Sequence, residues 1–301
     1  MILVTGADGL VGRALCAHLM EVGVSVLPVV RERAAWTLPD ALVIDLSREV
    51  SLDGCIPQAI RAVVHLAAAV PHSARYPDSD ASADLTRTMD AVVLRFVISR
   101  RCPVVYASSC GLYDPHSSAP KDEDDPTALT IRGPYFRAKF DGERLFAGKA
   151  GAVIARLSAP VGPGMQAGLV LRRFVDLALA GAAIEIWGSG TREQDFVDVR
   201  DISRILASAA FNPQATTINV AAGQPTTMRT LANTVVSTLG CGRVRFSDLS
   251  DPQEGQTARY VTTRVRDIYG WRPHFALADS IRTVASDVVE RRCRTTLMER
   301  P

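Results

Sequence analysis

Two kinds of hydrophobic pattern alternate along the first half of the chain. Ile2–Thr5, Ser25–Val30, Ala62–His65 and Val104–Ala107 are short, nearly continuous apolar runs rich in β-branched residues. Such runs are expected of strands covered on both faces of a parallel sheet. Between them, Leu10–Val22 and Asp84–Arg100 carry apolar residues at helical spacing. In the latter these are Leu85, Met89, Val92, Val93, Phe96 and Val97. The alternation predicts an α/β fold with a doubly wound parallel sheet. Further on, Val153–Arg156 and Thr217–Val220 predict strands and Leu169–Gly181 a helix. Met228–Leu239, Arg243–Phe246 and a stretch from Leu277 to about Arg291 predict helix, strand and helix. Pro160, Gly162, Pro163 and Gly164 break the rhythm just after Leu157, so a domain boundary is expected there.

Composition narrows the class. The chain has 301 residues, 47% of them hydrophobic and 22% charged, enough apolar content for a sizeable core. A net charge of +2 gives no electrostatic footprint for nucleic acid or an anionic membrane. No run is long and apolar enough for a transmembrane helix. The sequence opens Met1-Ile2-Leu3-Val4, already strand-like, so no signal segment is expected. Six cysteines without a Cys-x-x-Cys pair read as free thiols in a reducing cytoplasm. Arg291-Arg292-Cys293-Arg294 reads as an exposed helix end.

Gly6, Gly9 and Gly12 lie three residues apart between the first strand and the first helix. Gly6 suits the tight turn, Gly9 lets backbone approach a pyrophosphate, and Gly12 lets the helix pack against the sheet. The helix start offers N–H groups to the anion. Asp8, Leu10 and Val11 lie in the same turn. Thr5-Gly6-x-x-Gly9-x-x-Gly12 resembles the short-chain dehydrogenase/reductase superfamily, in its extended, sugar-epimerase-like branch, the NAD(P)-dependent epimerase/dehydratase family. His65-Leu66-Ala67-Ala68 is similar to that family's signature beside the cofactor. The resemblance implies cofactor contacts from Leu66, Ala67 and Ala68. His65 reads as a packed, hydrogen-bonded residue.

Tyr135-x-x-x-Lys139 places a phenol and an ammonium on one helix face. Lys⁺ and a bound nicotinamide cation would both favour the phenolate, making it a base for a sugar hydroxyl and, as the phenol, an acid in reverse. Upstream, Ser108-Ser109-Cys110-Gly111-Leu112-Tyr113 ends a predicted strand in hydroxyls and resembles the family's Ser-Ser-x-x-x-Tyr segment. The resemblance makes Ser109, Tyr135 and Lys139 catalytic, with Tyr135 and Lys139 also touching cofactor. Relatives that dehydrate sugars carry Asp-Glu where this chain has Cys110 and Gly111, so dehydration lacks its acid and base. Ser-Ser-Cys also resembles an epimerising reductase of the family that pairs a Cys with a His. Leu157–Gly168 contains no His, so Cys110 reads as a small packed residue rather than a catalytic thiol, and it is counted with Ser109, Ala159, Arg172 and Arg192 among the candidate substrate contacts.

The substrate half matches less closely. Ala159 stands where relatives have Asn, and Gln194 where they have Arg, two residues that contact a nucleotide diphosphate in those relatives. Arg172, Arg173, Arg192 and Arg259 are candidate replacements. Asn219-Val220-Ala221-Ala222-Gly223 and Gly270-Trp271-Arg272-Pro273 resemble two structural markers of the family. The expected organisation is a Rossmann-type domain from residues 1–157 with about 194–223, and a smaller substrate lobe from about 158–193 and 224–301.

The implied activity is hydride transfer at a secondary alcohol or ketone of a sugar, as a nucleotide-sugar 4-epimerase or 4-ketoreductase. Reduction of a non-nucleotide carbonyl compound and a non-catalytic dinucleotide-binding module are the alternatives. No metal site is expected. For the cofactor, Val30 occupies the position of the acid that holds an NAD ribose in NAD enzymes. Arg31 and Arg33 follow it and suit a 2′-phosphate, so the reading favours NADP(H). Asp45 and Leu46 match the family's adenine contacts. The resemblance further implies a homodimer through the helices Asp84–Arg100 and Tyr135–Phe146, with Met89, Val93 and Phe96 as candidate interface residues.

Overall fold

The computed structural model describes residues 1–34, 37–56, 59–71, 77–128, 130 and 133–298. The last three residues of the expected second lobe, 299–301, lie outside them. The first part of the chain forms β1 (Ile2–Thr5), α1 (Leu10–Glu21), β2 (Val26–Val30), β3 (Leu42–Val43), β4 (Ala62–His65) and α2 (Asp80–Arg100). It continues with β5 (Val104–Ser109), α3 (Pro134–Phe146), β6 (Ala152–Leu157), β7 (Ala159–Val161), α4 (Val170–Leu179) and β8 (Ala183–Ile186). Then follow β9 (Glu193–Gln194), β10 (Phe196–Asp198), α5 (Val199–Phe211), β11 (Thr216–Val220) and β12 (Thr226–Thr227). The chain ends with α6 (Met228–Leu239), β13 (Arg243–Phe246), α7 (Thr263–Tyr269) and α8 (Leu277–Met298).

Seven strands form one parallel sheet in the order β11-β6-β5-β4-β1-β2-β3. The expected doubly wound α/β architecture is therefore present. The inner strands are mainly apolar because helices cover both faces, and their polar residues gather towards the carboxyl ends, as Thr5, His65, Ser108 and Ser109 do. α1 and α5 bury one face through Leu15, Leu19, Ile202, Ile205 and Leu206. α2 and α3 bury the other through Val92, Val93, Phe96 and Phe146. Met89, Val93 and Phe96 belong to this second core and are almost inaccessible. Their stripe faces the sheet, which corrects their assignment as subunit-interface residues.

Strand order reverses at β1, which has β2 on one side and β4 on the other. The crevice at the carboxyl ends of such strands is where open α/β sheets take ligands. A third core lies outside the sheet. It packs α4, α6 and α8 against β8 through Leu171, Ile184, Ile186, Leu231, Val235 and Val284. β7–β10, β8–β13 and β9–β12 are two-stranded pairs in this region. No helix among the described residues is long and apolar enough to cross a membrane.

Candidate active site

The glycine turn behaves as its spacing requires. Gly6 has φ +64°, and a Cβ there would approach the Ala67 amide nitrogen to 2.8 Å, so β1 and the strand β4 exit can close only around a glycine. A Cβ on Gly12 would overlap the Gly6 carbonyl oxygen. Gly9 is exposed, Asp8, Leu10 and Val11 half-buried. No side chain caps the start of α1, so its first amides face outward without a protein acceptor from a cap. Leu66, Ala67 and Ala68 line the adjoining strand exit, half-buried. The free helix start and the glycine cradle fit a dinucleotide pyrophosphate.

At the far end of the adenosine side the expected clamp is only partly available. The Arg33 guanidinium donates to the carbonyls of Pro39 and Ala41, both at 3.2 Å, and so holds its own loop. Arg31 is next to Glu32 at 3.6 Å and stands beside Asp45 and Arg48 around a surface hollow. Asp45 accepts from the Ser47 hydroxyl at 2.6 Å, a bond that holds its carboxyl below the usual range, and Leu46 is buried.

Pro134 at the first position of α3 fixes where that helix begins, and Asp78 accepts the Tyr135 N–H at 3.0 Å. α3 then presents Tyr135, Lys139 and Glu143 one turn apart on a single face. Burial, then the charges of Asp90 and Asp78, push the Tyr135 phenol above its ordinary value. Burial pushes the Lys139 ammonium down, opposed by Asp90 and Glu143. Lys139 Nζ lies 4.0 Å from the centroid of the Tyr106 ring and has no hydrogen-bond acceptor among the described residues. An almost buried ammonium with unused donors fits a cofactor ribose.

β5 brings Ser109 to the same sheet edge. The turn Cys110–Leu112 after it packs on α3, where Gly111 leaves room for the Phe136 ring. Ser109 Oγ accepts the Gly111 N–H at 3.0 Å, which leaves its proton to be donated elsewhere. Ser108 turns the other way and donates to Glu143 at 2.5 Å. Cys110 is buried, its thiol 3.2 Å from the Arg156 carbonyl, and burial raises it well above a normal thiol. At 1% exposed it is a packed residue, which corrects its place among the candidate substrate contacts. His65 is likewise an internal hydrogen-bonding residue, between Thr5 (2.7 Å) and Asp90 (2.9 Å).

Behind these groups lies a polar network that the motifs did not announce. Arg156 grips Glu143 with two bonds, 2.9 and 2.8 Å, and donates to Tyr113 Oη at 2.8 Å. Tyr113 donates to Asn219 Oδ1 at 2.7 Å, and the Asn219 N–H reaches Glu123 at 2.7 Å. This ties α3, β5, β6 and β11 together directly beneath the Ser109–Tyr135 edge. Tyr113 and Asn219 stand in segments that resemble family markers and Glu143 repeats the Tyr135–Lys139 spacing, but no motif linked them to one another.

The substrate-side arginines are each engaged. Arg172 bonds Asp176 at 3.0 Å and the Met165 carbonyl at 3.1 Å. Arg192 bonds Asp251 at 2.8 Å and Gln253 at 2.9 Å, and Arg259 bonds Glu193 at 2.9 Å. Arg173 lies over the Trp187 ring. Ala159 opens β7, and its amide bonds the Asp195 carbonyl. The Asp195 carboxylate accepts the amides of Ala222 and Gln224, which ties this strand entry to the Asn219–Gly223 marker as one joint. In the terminal basic run, Arg291 pairs with Asp287 and Arg292 with Asp176.

A family model described as NAD dependent epimerase/dehydratase family matches residues 2–221. The chain is 26% identical to a putative UDP-glucose 4-epimerase of Methanocaldococcus jannaschii, over 95% of this chain and 97% of that protein. It is 25% identical to a GDP-6-deoxy-D-mannose reductase of Pseudomonas aeruginosa, over 95% and 96%. Its fold is similar to that of MoeE5 in complex with UDP-glucose and NAD. The TM-score is 0.78 with 22% identity, over 96% of this chain and 99% of the other.

Proposed function

The chain belongs to the NAD dependent epimerase/dehydratase family, and we propose that within it this enzyme transfers hydride at a secondary alcohol or ketone of a nucleotide sugar, as a 4-epimerase or 4-ketoreductase. The observation that carries the reading is the α3 face. Tyr135 and Lys139 stand one turn apart on α3, which packs on β5 and on the turn that follows Ser109, in the same sheet as β1 and its glycine turn. A bound nicotinamide dinucleotide supplies or takes the hydride. Gly6, Gly9 and Gly12 would hold its pyrophosphate and Lys139 its ribose hydroxyls. Tyr135 gives a proton to the carbonyl oxygen or removes one from the alcohol. Ser109 donates a hydrogen bond to that same oxygen. The site lies between the Rossmann-type part and the smaller lobe of residues about 158–193 and 224–301, a division supported by the separate third core. Free thiols at all six cysteines support a cytoplasmic setting.

A second reading, reduction of a carbonyl compound without a nucleotide, has its own support. Ala159 and Gln194 offer no diphosphate contact of the kind relatives make. Arg172, Arg192 and Arg259 are already held by Asp176, Asp251 and Glu193. For the cofactor we propose NADP(H) over NAD, because Val30 offers nothing to a ribose 2′-OH and Arg31 follows it at the strand end.

Thermal melts decide between these readings. With cofactor present, one class among UDP-, dTDP-, GDP- and CDP-sugars is expected to raise the melting temperature by several degrees. Stabilisation by none of them favours the second reading. At equal concentrations NADP⁺ is expected to stabilise more than NAD⁺, and Arg31→Ala to remove the difference. Equal stabilisation of the parent protein by both cofactors contradicts the NADP preference.

A further inference from the structure

Asp90 is a buried carboxylate, 1% exposed, on the inner face of α2, one turn after the buried Thr86. Its two oxygens face two partners, His65 Nε2 at 2.9 Å and Tyr106 Oη at 2.9 Å. The direction of each bond follows from what lies beyond it. Thr5 Oγ1 accepts the amides of Leu66 (3.2 Å) and Ala67 (3.3 Å), so its own proton goes to His65 Nδ1. Burial holds the imidazole neutral, with its ionisation below the ordinary value. The ring proton therefore sits on Nε2 and is donated to Asp90. The Tyr106 phenol, pushed up by burial, donates to the other oxygen. Both carboxylate oxygens accept, so Asp90 carries a negative charge that neither partner neutralises.

A buried carboxylate requires a counter-charge. Across the Tyr106 ring stands Lys139, its ammonium over the ring face and Asp90 on the ring hydroxyl. Gly142 makes this approach possible, since a Cβ there would overlap both Tyr106 Oη and Asp90 Oδ2. The other charged and titratable groups near Lys139 are accounted for. Glu143 is bound by Arg156 and Ser108, His65 is neutral, and Tyr135 is a phenol beside Asp78.

We propose that Asp90 is a positioning residue for the catalytic pair: acting across Tyr106, its carboxylate keeps the buried Lys139 charged and seated on the Tyr106 ring beside Tyr135. The same charge favours the phenol of Tyr135. The resting pair is then ammonium and phenol, the acid form that donates a proton to a carbonyl oxygen. This inference rests on the reading of Tyr135 and Lys139 as the reacting pair.

The chain contains only three lysines, Lys121, Lys139 and Lys149. Carbon-13 labelling at lysine Cε therefore gives three NMR signals, and Lys139→Met assigns the one of interest. The protein, saturated with whichever of NADP⁺ and NAD⁺ stabilises it more, is titrated beside Asp90→Asn and Asp90→Thr. The second variant offers a hydroxyl to His65 should the first fail to fold. The Lys139 midpoint is expected to fall by about one pH unit or more in a folded variant, with Lys121 and Lys149 unmoved. An unmoved Lys139 midpoint overturns the proposal. The midpoint is read without turnover, so it can fail independently of the catalytic reading.

Discussion

His65 lies in a family-like motif and titrates near neutrality when free, yet its surroundings make it structural. It is inaccessible, and burial sets its folded ionisation below the ordinary value. The unfolded chain takes up this proton as pH falls below about 6.5, while the folded chain does not. The stability contribution is thus fully present above that pH and is lost below it, by at most about 1.4 kcal/mol per pH unit. Urea melts between neutral and mildly acidic pH should show the parent protein losing stability faster than His65→Gln. Parallel pH profiles for the two would mean that His65 titrates alike in both states. At this scale the sequence was readable where chemistry is local. Gly6, Gly9 and Gly12 lie within one turn, and Tyr135 and Lys139 are four residues apart. Asp90 was not readable, because its partners His65 and Tyr106 are 25 and 16 residues away and meet it only once the sheet forms.

Among the elements, α3 carries the greatest constraint. Its Tyr135 face meets β5, and Gly142 on the same helix presses against Tyr106 and Asp90. Gly142→Ala improves helix propensity by about 1 kcal/mol. It also forces the helix off the Tyr106–Asp90 pair, a strain of about 1–3 kcal/mol. A net loss of stability is expected in denaturant melts, and a net gain would show that α3 is free to shift. Periodicity found α1, α2, α4, α6 and α8 because each alternates apolar and polar faces. The helix α2 begins at Asp80, a turn before the expected Asp84, because Ser79 caps it by accepting the Ser82 N–H. Periodicity did not single out α5, although Val199, Ile202, Ile205, Leu206 and Ala209 are buried. The helix follows directly on β10 with no intervening turn, so its start merges with a strand-like run. The short pairs β7–β10 and β9–β12 are two or three residues long and leave no hydrophobic period to detect.

For the molecule as a whole, the outward sides of α2 and α3 form one surface, joined by Arg87 to Asp141 at 2.8 Å and exposing Ile98. We propose that this surface, rather than the buried Met89–Val93–Phe96 stripe, makes a homodimer. Light scattering at micromolar concentration should give twice the chain mass, and a monomer would contradict it. The largest claim is that the sheet edge around β1, β4 and β5 is a hydride-transfer site whose proton passes through Tyr135. Tyr135→Phe removes a single hydroxyl and keeps the ring that packs against Phe136. Conversion of whichever sugar nucleotide stabilises the protein, read by chromatographic separation of substrate from product, should fall by about 10²–10⁴-fold in Tyr135→Phe. Dissociation constants for the cofactor should stay close to those of the parent protein. Turnover that survives the substitution undiminished would contradict the account.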